Sequence, residues 1–115
     1  MDIPQKYADI TTDHIKKWKQ TKGVLTEEAI PLSDEPNAKV AKFVVCKPTR
    51  NVLSAIIDYG KKEDVENVNK LLIANCVLGG DMEYLSEKGD TQIYLSMIEV
   101  LGKLLRPRVS KSKKL

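Results

Sequence analysis

The spacing of apolar residues changes at a few marked points along the chain, and those points divide it into elements. Residues 1–10 hold no hydrophobic period and read as a flexible N-terminal arm. Thr11 or Thr12 then offers a hydroxyl that can accept from the free amides of a first helical turn. The short helix that follows, through Asp13–Lys22, places Ile15 and Trp18 on one face, its lysines in solvent, and Gly23 as its stop. Residues 24–30 read as a strand ended by Pro31, and Ser33-Asp34-Glu35-Pro36-Asn37 as a turn. Lys39–Lys47 reads as a second strand dominated by Val40, Phe43 and Val45. This predicts a β-hairpin with a longer loop. Two strands are marginal in water unless a helix or another chain covers one face.

Pro48 ends the second strand, because it lacks a donor and holds Lys47 extended. Thr49 caps a helix over Arg50–Gly60 with a stripe of Val52, Leu53, Ile56 and Ile57, stopped by Gly60. Asp64 caps a third helix predicted over Val65–Leu78. Val65, Val68, Leu72 and Cys76 lie on one face of it, with Leu71, Asn75 and Leu78 beside them. Gly79-Gly80 stops that helix, and Asp81–Gly89 reads as a solvated polar loop. Asp90 caps a last helix whose stripe is Ile93, Met97, Val100, Leu101 and Leu104, widened by Tyr94, Ile98 and Leu105. Pro107 forbids its extension, and 106–115 has the composition of a basic disordered tail. The expectation is one α+β domain over 11–105, in the order α-β-β-α-α-α, with three helices packing on a hairpin.

Composition narrows this picture. At 115 residues the chain suits one modest core. With one Phe, one Trp and four Tyr, that core must be mainly Leu, Ile and Val. No apolar run is long enough to span a bilayer, and MDIPQKYADITTD lacks the basic and apolar regions of a signal peptide. A cytoplasmic protein with no membrane partner is expected. Cys46 and Cys76 then read as small buried hydrophobes, since a disulfide does not suit a reducing compartment. The net charge is +3, but Arg106, Arg108, Lys111, Lys113 and Lys114 contribute five positive charges, so the remaining chain carries 3 − 5 = −2. A mildly acidic body with a basic end is not a basic-face nucleic-acid binder.

No residue group points to catalysis, a cofactor or a metal. His14 is the only histidine and falls on the polar side of its helix. Asp81, Glu83 and Glu87 are too few and too irregular for a calcium loop. Gly79-Gly80-Asp81 lacks the phosphate-loop spacing. Cys46-Lys-Pro-Thr-Arg50 is too short for a phosphatase-type anion loop. Two residues lack a complete local account. Arg50 stands in a first helical turn, where the dipole disfavours a cation, so a partner carboxylate is expected. Asn75 interrupts an apolar helix and needs hydrogen-bond partners, expected among the carbonyls of the Gly79-Gly80 loop. The last helix is apolar over a wider arc than a hairpin can bury, which points to self-association or a partner groove. The partner-binding candidates are Arg50, Asn75, Tyr94, Met97, Ile98, Leu101 and Leu105.

Two blocks, Lys47-Pro48-Thr49-Arg50-Asn51-Val52-Leu53 and Leu71-Leu72-Ile73-Ala74-Asn75-Cys76-Val77-Leu78-Gly79-Gly80-Asp81, together with the Trp18 helix and two strands, resemble small tail assembly chaperone-like proteins of tailed bacteriophages and prophages. The resemblance spans about residues 12–105. Val77 stands where an aromatic is usual, and the basic tail is a further departure. The resemblance implies a non-enzymatic role in the host bacterial cytoplasm: binding the tape measure and tail tube proteins while the tail is built, and absence from the finished virion. Two other readings compete. One is a structural tail or head-completion component; the other is a small nucleic-acid binder using the basic tail.

Overall fold

The central strand of a three-stranded antiparallel sheet, Val40–Cys46 (β2), organises the molecule. The computed structural model describes residues 3–106 and 109–115. Before β2 come helix α1 (Thr12–Lys22) and strand β1 (Leu25–Pro31). After it come α2 (Arg50–Lys61), α3 (Val65–Cys76), β3 (Val77–Gly80) and α4 (Thr91–Leu104), with single 3₁₀ turns at Tyr7–Asp9 and Met82–Leu85. The α+β class is as expected, and the element order is α-β-β-α-α-β-α.

The additional strand is the main departure from the sequence expectation. The third helix stops at Cys76 and not at Leu78, and Val77 already has extended geometry (φ −90°, ψ 107°). Residues 77–80 then pair with β2, placing Val77 opposite Val45, Gly79 opposite Val44 and Gly80 opposite Phe43. The two glycines act as strand residues where backbones approach closely, which is a second reading of glycine beside that of helix stop. A Cβ on Gly80 would lie 2.4 Å from the Lys42 carbonyl oxygen, at a φ of +142° that L residues rarely adopt. Smaller shifts occur elsewhere. β1 includes Pro31, tolerated as the last residue of an edge strand, and α2 passes through Gly60 to Lys61, with the left-handed turn taken by Glu63 (φ 57°).

Alternation along β2 sends Ala41, Phe43 and Val45 to one face, where they join Ile30, Ile56, Leu72, Ile93, Met97 and Leu101 in the main core. The opposite face is not left to solvent. Trp18 of α1 is buried there, close enough that a Cβ on Gly79 would stand 3.2 Å from its indole and 3.3 Å from Pro4. Helices therefore cover both faces of the sheet. His14, expected to be a plain surface residue, is half-buried and structural: its Nδ1 accepts from the Thr11 N–H at 3.0 Å, and its ring stacks on Trp18 at 5.5 Å.

The segment expected as a flexible arm is hydrogen-bonded to the fold. Gly80 N–H donates to the Pro4 carbonyl at 3.3 Å and Met82 N–H to that of Gln5 at 3.0 Å. Residues 4–5 thus occupy the outer edge at the end of β3, supplying acceptors that a short strand would otherwise lack. Residues 109–115 carry no regular structure and are exposed.

Candidate functional site

Asp64 accepts from the Asn67 N–H at 3.3 Å and starts α3. The helical period then brings Glu66, Lys70, Ile73 and Ala74 to one side. Facing them is the segment from Met82 to Asp90, folded on itself by donations from Ser86 to the Glu83 carbonyl, Gly89 to Ser86 and Asp90 to Tyr84. Gly89 is required in this turn: a Cβ would lie 2.5 Å from the Tyr84 carbonyl oxygen. Asp90 closes the segment by accepting from Gln92 and Ile93 N–H at 2.9 and 3.3 Å, which fixes the first turn of α4 and with it Tyr94.

Between these walls lies a groove of about 400 Å³. Ile73, Leu85 and Tyr94 are half-buried in it and form an apolar floor, with Ala74 alongside. Its charged residues are Glu66, Glu87 and Asp90 against Lys70. Lys70 pairs with Glu66 at 3.1 Å, and that pair, with Glu87 and Asp64 nearby, raises its pKa. Three carboxylates against one ammonium leave the groove at −2.

Asp81 has a different task from the solvated loop residue expected. Its Oδ1 accepts from the Tyr7 N–H at 2.9 Å and its Oδ2 from the Lys42 N–H at 3.0 Å. One carboxylate thereby fastens the N-terminal segment to β2. Beside it, the Lys42 ammonium lies 5.2 Å from the Tyr7 ring centroid, and the Tyr7 hydroxyl donates to Glu27.

The partner-binding candidates separate into distinct environments. Tyr94 lines the groove, and Ile98, one turn further along α4, is half-buried. Met97 and Leu101 are fully buried in the main core, so they are not partner contacts. The sequence reading set them against two strands alone, whereas α3 and the 82–85 turn complete the enclosure. Leu105 also packs against the core. Asn75 does not reach the Gly79-Gly80 carbonyls: its Nδ2 donates to the Leu71 carbonyl one turn back at 2.9 Å. Arg50 is exposed and makes no ion pair with any described residue. Groove residues Ile73, Leu85 and Glu66 were not singled out from sequence, and Glu87 was weighed there only as part of a rejected calcium loop. The only signal for them was the length of the polar segment after Gly80, whose docking against α3 is a tertiary event.

Cys46 and Cys76 are free thiols, both buried. Cys46 Sγ donates to the Asn75 carbonyl at 3.6 Å. Burial pushes both thiols up in pKa, Cys76 to about 11, with Lys22 opposing more weakly. Neither has the electropositive, accessible setting of a reactive thiolate. Among the described residues, no three His, Cys, Asp or Glu side chains converge as a metal site, and no helix is long and apolar enough to cross a membrane. No family model, curated protein or solved structure matches this chain.

Proposed function

We propose that this protein is a non-enzymatic binding domain whose groove between α3, the 82–90 segment and α4 holds an amphipathic helix of a partner protein. The observation that carries this reading is the half-buried floor of Ile73, Leu85 and Tyr94, open to solvent between well-anchored walls. Laying an apolar helix stripe into such a groove is a recurrent mode of peptide recognition.

The resemblance across residues 47–81 makes the partner a phage tape measure or tail tube protein, and the role that of a tail assembly chaperone. That identification rests on the resemblance alone. Thr49, Gly79, Gly80 and Asp81 have tasks in the fold itself, as cap, close-contact glycines and clamp. Co-expression with candidate tape measure and tube proteins tests it. A co-purifying complex that is lost when Tyr94→Ala and Leu85→Ala open the groove floor supports the reading, and no complex with either soluble partner refutes it.

A further inference from the structure

We infer that the helix held in this groove is basic: a partner segment with lysine or arginine flanking two or three apolar anchors at helical spacing. The inference rests on the groove reading above and adds the chemistry of the occupant.

The floor and the rim make separate demands. Ile73, Leu85 and Tyr94 require apolar side chains, since a polar segment would leave its own groups unpaired against them. The rim requires positive charge. Glu66 already shares Lys70, so Glu87 and Asp90 are the carboxylates available to an incoming cation. Asp90 uses only Oδ1 in capping α4, which leaves Oδ2 for the partner. An acidic helix would meet uncompensated like charge on two sides of the groove and be rejected.

Two basic segments of this chain, α1 and 106–115, meet one demand and not both. Helix α2, by contrast, exposes Leu53 and Ile57 between Arg50 and Lys61, and so makes a second copy the competing occupant that the test must separate. Helix α1 is basic through Lys16, Lys17, Lys19 and Lys22, but of its two apolar residues Trp18 is buried against the sheet and Ile15, on the same face, is half-buried. A second copy docking through α1 would supply charge without anchors. The segment 106–115 carries five basic residues but only Val109 and Leu115 as apolar residues. Those two are six positions apart, which does not return to the same helix face.

The test uses the full-length chain, isotope-labelled, and two synthetic helical peptides of equal length and apolar pattern, one built with lysine and leucine and one with glutamate and leucine. The expected result is that the lysine peptide shifts the amide signals of 66–74 and 84–94, and that raising salt from 50 to 300 mM weakens it at least fivefold. The glutamate peptide should bind at least tenfold more weakly. The double variant Glu66→Lys/Glu87→Lys, folded by circular dichroism, should reverse the preference. Equal binding of both peptides in the groove overturns the charge inference and leaves groove docking standing. Shifts confined to residues outside the groove, or none from either peptide, overturn the groove reading together with the inference. Tighter binding by a peptide of residues 50–61 or of 106–115 than by the lysine peptide makes a second copy of this chain the occupant and overturns the proposal of a separate partner.

Discussion

The carboxylate of Asp81 accepts the backbone N–H of Lys42 at 3.0 Å while the Lys42 carbonyl accepts the N–H of Asp81 at 2.9 Å, so one residue closes both sides of a strand end. The pair lies just beyond the last β2–β3 partners, Phe43 and Gly80. It extends the ladder by a side chain at the point where the backbone must turn away. Because the same carboxylate accepts from Tyr7, its loss also removes one of the hydrogen bonds that hold the N-terminal segment, beside those at Pro4 and Gln5.

Asp81→Ala is therefore expected to destabilise the domain by about 2–3 kcal/mol, since it strands two backbone donors that had a charged acceptor. Asp81→Asn keeps one amide oxygen and should cost less. Urea titration of both variants measures the difference, and hydrogen exchange at Tyr7 and Lys42 locates it. Equal stability of Asp81→Ala and the parent would show that water replaces the clamp.

Gly79 and Gly80 should differ in how they tolerate alanine. At Gly79 the new methyl meets the Trp18 indole at 3.2 Å and Pro4 at 3.3 Å; Trp18→Phe removes the indole atom and leaves the Pro4 contact. Gly79→Ala should cost about 1–3 kcal/mol as an overpacking change, and a double-mutant cycle with Trp18→Phe should recover part of it. At Gly80 the obstacle is the Lys42 backbone at 2.4 Å. No side-chain change relieves that, so Gly80→Ala should fail to accumulate as folded protein.

Along α4, Met97 is fully buried while Leu95 is 59% exposed. Met97→Ala should cost about 2–5 kcal/mol through lost burial and a residual cavity. Leu95→Ala should stay within about 0.5 kcal/mol. Thermal unfolding of the two variants gives the comparison directly, and similar losses would mean that Leu95 is covered in solution.

The buried thiols predict a pH response. Cys76 has its pKa raised to about 11 from the ordinary 9.0, because burial penalises the thiolate. The unfolded chain thus releases this proton first as pH rises, so unfolding becomes easier between the two values. Stability contributed here is complete below about pH 9 and lost through about pH 11. Cys76→Ser should show a flatter stability profile over that interval. At neutral pH both thiols should react with a maleimide only as fast as the protein opens, and rapid labelling of either would contradict their burial.

Local chemistry in the chain determined much of this protein: Thr49, Asp64 and Asp90 as caps, Gly23 as a stop, and the apolar periods of α2, α3 and α4. These depend on neighbours within one helical turn, so they are legible without a fold. The tertiary structure decided what depends on distant residues. It made Val77–Gly80 a strand, because β2 offered an unpaired edge, and put Gly79 beneath Trp18. It turned Asp81 from a loop residue into a clamp between segments 74 and 39 positions away. Met97 and Leu101 moved from surface candidates to core for the same reason, since α3 and the 82–85 turn, distant in sequence, close over them. The groove belongs to this second class. Its floor comes from α3, the 82–90 segment and α4, each residue of it unremarkable alone, and only their packing leaves an apolar cleft with an acidic rim.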